Sequence, residues 1–118
     1  MTALEKAKKI ASVLDEKKGR SISILKVLEH TVITDYFVIA TATSSTHLKA
    51  LCDEVEYRLR EEDGEKAQRV EGYQGGGWIL VDFSDVILHI FDSASRDFFQ
   101  LEKLWAQGEP VEFQAKED

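Results

Sequence analysis

The sequence predicts a mixed α/β fold of the α+β class: one domain in which a mixed β-sheet is covered by helices. Two stretches, Leu4 to Leu14 and Leu48 to Leu59, carry apolar residues at helical spacing. Runs rich in β-branched and aromatic residues at 34–42, 78–83 and 86–91 read as strands. A chain of 118 residues has the length of one domain and buries about two-thirds of its unfolded surface, enough for a core. The domain is assigned to residues 1–108, with 109–118 as a polar C-terminal tail.

The first helix sets Leu4, Ala7, Ile10, Ala11 and Leu14 on one side and ends near Lys18, where Gly19 follows. Residues 21–28 alternate loosely through Ile22, Ile24 and Val27 and read as a strand. Thr34 to Ala42 is apolar on both sides in its middle, as a central strand should be. Ser44, Ser45 and Thr46 are hydroxyl caps for the second helix. Its buried side is Leu48, Leu51, Cys52, Val55 and Leu59, and Asp63-Gly64 ends it. Ala67 to Tyr73 is a weaker strand at or near an edge. Gly75, Gly76 and Gly77 let the chain turn or approach a neighbour closely. Asp92 to Ser95 caps a last short helix with Phe98, Leu101, Leu104 and Trp105 on its apolar side. The two longer helices are expected to cover one face of the sheet.

The stretch from Gly75 to Trp105 organises the rest. Its two strand runs flank Ser84-Asp85 and form a hairpin. A turn symmetric about those residues opposes Phe83 to Val86, Val81 to Leu88 and Ile79 to Ile90 on one face. On the other it opposes Asp82 to Ile87, Leu80 to His89 and Trp78 to Phe91. The first face is wholly apolar and belongs to the core. The second mixes large apolar groups with an acid and an imidazole. Two readings of it stand. It is a contact surface for a partner, or a helix covers it and Asp82 and His89 bond each other or nearby backbone. The contact reading places a binding site at Trp78, Asp82, His89, Phe91, Arg96, Phe99, Glu102 and Trp105. Trp78 is its anchor, Asp82 and His89 its orienting groups and Arg96 a rim charge; Phe98 is assigned to the core.

The chain is 43% hydrophobic and 31% charged, with a net charge of −7. That is globular composition, and its sign favours a basic partner over a phosphate backbone. The basic residues from Lys6 to Arg20 are scattered, with no aromatic stripe between them, and at most brush RNA at an interface rim. Cys52 is the single cysteine, so an intrachain disulfide and a thiol metal cluster are excluded, and its place on a helix stripe marks a buried thiol. The N-terminus is amphipathic and unlike a signal peptide, and no run approaches a membrane span; a cytoplasmic location without membrane contact is expected. His30, His47 and His89 are far apart, with no carboxylate at metal-ligand spacing. No metal or cofactor is expected, and His47 is expected to be exposed. The glycine triplet precedes a strand and lacks a following Gly-Lys-Ser/Thr, so it is no phosphate loop.

Two motifs carry a resemblance. The first is Asp35-Tyr36-Phe37-Val38-Ile39 ahead of a serine-rich helix start. The second is Glu71-Gly72, then Trp78, Asp82, His89, Phe91, Arg96, Leu101-Glu102 and Leu104-Trp105. From Leu4 to Trp105 their order and spacing resemble the ribosomal silencing factor family, also called Iojap. The glycine triplet departs from that pattern, where a residue such as Ala often precedes the Trp. The resemblance implies a mixed sheet related to nucleotidyltransferases and a function without catalysis. It implies binding to the large ribosomal subunit through the universal large-subunit ribosomal protein fourteen. A factor bound there sterically blocks small-subunit joining and represses translation under nutrient limitation. It also implies a homodimer when free, while organellar relatives act in ribosome biogenesis. A degenerate nucleotidyltransferase-like enzyme is the alternative from another class, and the residues weigh against it. Such enzymes hold a pair of metal ions with Asp-x-Asp after a Gly-Ser helix start. Here Thr43 precedes Ser44-Ser45, no Asp-x-Asp occurs, and Asp82 and Asp85 lie across a turn. No catalytic residue is assigned.

Overall fold

A computed structural model describes residues 1–29, 31–100, 103 and 108–113, with the side chains of Phe98 and Phe99 outside the description. The elements are α1 (Ala3–Glu16), β1 (Arg20–Lys26), β2 (Tyr36–Thr41), α2 (Ser45–Asp63) and β3 (Arg69–Glu71). They continue through β4 (Trp78–Asp82), β5 (Val86–Phe91), α3 (Ser93–Phe99) and β6 (Glu109–Val111). The strands form one sheet in the order β3-β4-β5-β2-β1-β6. Among the described strands β2 and β5 run parallel and the other neighbours are antiparallel. The fold is thus the mixed α+β domain that the sequence predicts.

Local chemistry sets the helix ends. The Thr2 hydroxyl accepts from the Glu5 amide at 3.1 Å and the Glu5 carboxylate accepts from the Thr2 amide at 2.7 Å, a capping box. Ser44 caps α2 by accepting from the His47 amide at 3.0 Å. Gly64 ends that helix in the left-handed region, at φ +68°, where a residue without Cβ fits. Both helices lie on one face of the sheet. Ala7, Ile10, Ala11 and Leu14 of α1 and Leu51, Cys52, Val55 and Leu59 of α2 pack on Val38, Ala40, Ile79, Val81, Leu88 and Ile90. Every residue of β2 and β5 is buried, as expected of central strands.

Two expectations about the C-terminal part need correction. The last helix was expected to run its apolar side through Leu101, Leu104 and Trp105. Instead α3 stops at Phe99, because Gln100 turns left-handed at φ +48° and its amide donates back to the Arg96 carbonyl. Leu101, Glu102, Leu104 and Trp105 lie outside the described residues, as do His30 and 114–118. The polar tail was expected from residue 109. Glu109–Val111 is instead an edge strand, with Val111 opposite Ile24, Pro110 opposite Leu25 and Glu109 opposite Lys26. The outer side of β1 offers backbone donors and acceptors that a strand satisfies whatever its side chains.

Lys6, expected among the scattered surface cations, is turned inward. Its Nζ lies 2.6 Å from Asp85 in the hairpin turn and 3.3 Å from Glu65 after α2, with 7% of the side chain exposed. Burial works against its charge, but the hydrogen bonds and charges of Asp85 and Glu65 outweigh it and raise its pKa. One ammonium thus ties α1 to two distant connections. Lys6→Ala is expected to destabilise the fold by about 1–3 kcal/mol, the cost of stripping a charged hydrogen-bond partner. Urea unfolding checks this; an unchanged midpoint would show the pair to be an ornament of the surface.

Candidate functional site

The hairpin register is the one read from the sequence. Trp78 pairs with Phe91, Ile79 with Ile90, Leu80 with His89, Val81 with Leu88 and Asp82 with Ile87. The Phe83 amide donates to the Val86 carbonyl at 2.9 Å and closes the turn. The alternation therefore delivers Ile79, Val81, Phe83, Val86, Leu88 and Ile90 to the helix-covered core. Trp78, Leu80, Ile87 and Phe91 go to the opposite face, where they join Leu25, Val27, Phe37 and Ile39.

That second face is graded. Phe91 is 1% exposed, His89 5% and Ile87 7%, while Trp78, Leu80 and Asp82 on β4 are half-buried. Trp78 and Phe91 lie 5.1 Å apart between centroids, and His89 meets Phe37 edge-on at 5.2 Å. Such contacts stabilise beyond their area. Trp78 Nε1 donates to His89 Nδ1 at 3.1 Å. An indole nitrogen only donates, so Nδ1 is the acceptor and the neutral ring carries its proton on Nε2. That Nε2 is buried with no hydrogen-bond partner among the described residues. Burial depresses the His89 pKa from 6.5 to about 4, so the ring is neutral at ordinary pH.

The exposed part of the face is a small apolar cleft of about 220 Å³ lined by Glu71, Gly72, Trp78 and Leu80. The glycines beside it are not uniformly loose. At Gly72, φ +82°, a Cβ would collide with the Trp78 carbonyl; at Gly77, φ +90°, it would collide with Ser95 and Asp92. The Asp92 amide donates to the Gly77 carbonyl at 2.9 Å. Trp78 is thus anchored to the start of α3, and around Gly75 and Gly76 a Cβ meets little or nothing.

The predicted site residues fall into distinct places. Trp78 is half-buried and lines the cleft. His89 and Phe91 lie beneath it as support, with too little surface for direct contact. Asp82 does not meet His89: its Oδ1 accepts from the Ser84 amide at 2.7 Å and its Oδ2 lies 3.5 Å from Arg69. Arg96 is not simply a rim charge, since Nη1 donates to the Ser21 carbonyl and to Thr41 Oγ1, fastening α3 to β1 and β2. The Phe99 side chain, Glu102 and Trp105 lie outside the described residues. Leu80, not among the residues named from the sequence, also lines the cleft; its place two residues from Trp78 on the mixed face was the available signal.

Two other groups bear on chemistry. His47 is half-buried rather than exposed. Its Nδ1 accepts from the Thr43 amide at 2.9 Å and its Nε2 reaches the Lys17 carbonyl at 2.8 Å, joining the start of α2 to the end of α1. Cys52, Asp53 and Glu56 bring possible ligand atoms within 4.8 Å of one another. Burial, then Glu56, pushes the Cys52 thiol pKa upward, and Asp53 accepts from the Tyr73 hydroxyl at 3.0 Å. A protonated, buried thiol is a poor metal ligand.

The whole chain, residues 1–118, matches the family described as ribosomal silencing factor during starvation. It is similar to the ribosomal silencing factor RsfS of Halalkalibacterium halodurans, 31% identical over 103 residues that make up 87% of each chain. It is also similar to mitochondrial assembly of ribosomal large subunit protein 1 of Mus musculus, 32% identical over 101 residues, 81% of this chain and 43% of that one. A crystal structure of a Chromobacterium violaceum protein superposes with a TM-score of 0.86 at 32% identity, over 98% of this chain and 95% of that one. With sequence, length and fold in agreement, the chain belongs to the ribosomal silencing factor family.

Proposed function

We propose that the protein binds the large ribosomal subunit through ribosomal protein fourteen of that subunit, sterically blocks joining of the small subunit and represses translation when nutrients are limiting. The family match over the full chain carries this reading. The mouse relative, named for assembly of the ribosomal large subunit, supports the choice of subunit. The net charge of −7 suits a basic ribosomal protein. The reading needs no turnover: a bound domain occupies space, so inhibition is stoichiometric and the protein is not an enzyme. The site of action is the cytoplasm. Peripheral RNA contact falls to exposed Lys8, Lys17, Lys18 and Arg20, and a homodimer of the free protein competes for the same surface. Sedimentation with isolated subunits tests the proposal. The protein should travel with large subunits and not with small ones, and catalytic amounts silencing many ribosomes would contradict it.

The contact surface is the cleft edge of the mixed face, with Trp78 as anchor. Trp78→Ala should weaken affinity for the partner ribosomal protein by about 2 kcal/mol or more, the scale of an aromatic hot spot. Val81→Ala, on the core face, should lower the melting temperature and leave the binding of the folded protein intact. Because Trp78 also serves His89, each variant is melted alongside. A Trp78→Ala protein that melts early yet binds normally would move the contact elsewhere.

The same mouse relative favours a second reading, a role in maturation of the large subunit. Subunit profiles of growing cells lacking the protein separate the two: precursor large particles support maturation, and normal particles with excess joined ribosomes in starvation support silencing.

A further inference from the structure

We propose that His89 is a positioning residue for the ribosomal contact: by engaging the one donor of the Trp78 side chain it fixes which edge of the indole meets the partner. The inference rests on the reading of Trp78 as the anchor and names the chemistry which that anchor accepts. Trp78 starts β4 and pairs with Phe91 of β5, whereas β3 pairs with β4 from Asp82 as far as Leu80, opposite Glu71. On the β5 side the indole meets Phe91 at 5.1 Å between centroids, 30° from parallel, and His89 at 5.8 Å. On the β3 side stands Gly72, where φ is +82° and the nearness of the Trp78 carbonyl excludes a side chain. There the apolar cleft opens.

The flat contact with Phe91 does not by itself select an edge. The second side-chain torsion of a tryptophan is broad and nearly two-fold. A half-turn therefore preserves that contact and exchanges the N–H edge for the carbon edge. The hydrogen bond makes the selection: Nε1 donates to His89 Nδ1 at 3.1 Å. His89 is itself held. It is 5% exposed, lies in a strand buried throughout and meets Phe37 edge-on at 5.2 Å. Burial keeps its ring neutral at ordinary pH, with a lone pair on Nδ1. An indole has one donor and no acceptor. With that donor engaged inside the chain, the anchor offers the partner carbon and a π face. The group it takes is a hydrocarbon group of the partner and not a hydrogen-bond acceptor. The cleft that the ring shares with Leu80 agrees.

Affinity of the full-length protein for isolated large subunits, measured beside the melting temperature of each variant, tests this. His89→Leu keeps an apolar filling and removes the acceptor. Holding the indole in place then leaves its N–H unpaired, so the ring turns to reach water and a smaller fraction of molecules presents the competent edge. Affinity should fall about tenfold without an earlier melt. His89→Asn puts a carbonyl oxygen where Nδ1 stands. It should melt earlier, because its amide is buried in a central strand, and yet bind close to the parent. In a Trp78→Phe background there is no N–H to orient, and His89→Leu should cause no further loss. Unchanged affinity of His89→Leu, an equal loss in the Trp78→Phe background, or affinity that follows the melting temperature through the series overturns the proposal and leaves the ribosomal reading standing. A parent protein that fails to bind large subunits overturns both.

Discussion

Lowering the pH from 6.5 to about 4 is expected to remove about 3 kcal/mol of folding stability through His89 alone. The sign follows from burial. The folded ring has a depressed pKa, so between those values the unfolded chain binds the proton that the folded chain refuses. The stability is fully present above pH 6.5, falls through the window and is gone below about 4. Protonation at Nδ1 would also remove the acceptor for the Trp78 indole, reinforcing the loss. His89→Phe should flatten this part of the profile. Urea midpoints measured across the window for both proteins decide the matter; parallel curves would mean that the ring is solvated in the folded state.

Phe91→Ala should cost about 3–5 kcal/mol, the range for emptying an aromatic core position. Phe91 is 1% exposed and packs against Trp78, so this residue, named from the sequence as a contact, offers almost no surface of its own. Phe91→Leu conserves most of the volume and should cost about 1.5 kcal/mol or less, with normal partner affinity. If Phe91→Leu keeps its stability and loses affinity, the ring reaches the partner directly.

What was legible in the sequence was local. The hairpin register could be read because Ser84-Asp85 sits symmetrically between two alternating runs, and a slip of one residue would have exposed Val81 and Leu88. The caps at Ser44 and Gly64 were legible because a hydroxyl and a glycine do there what they do in any helix. What escaped was non-local. Arg96 finds its acceptors 75 and 55 residues away, and His47 reaches a carbonyl 30 residues back; no spacing rule encodes either. Glu109–Val111 was read as tail because proline and glutamate argue against a strand, whereas the vacant side of β1 decides it. The end of α3 was masked by an apolar pattern that continues past Gln100. Asp82 is the near miss: an aspartate accepting from the amide two residues on is a local turn motif, and the turn at Ser84 invited it.

The two outer strands bear on how the protein behaves when crowded. β3 is three residues long with exposed Arg69 and Glu71 around Val70, and β6 is three residues long with Pro110 at its centre. A sheet recruits further chains through a long, flat row of unpaired amides; charged termini keep that row wet, and proline deletes a donor from it. Both described edges are thereby blunted as templates for a growing cross-β stack. Concentrated protein is therefore expected to resist fibre formation.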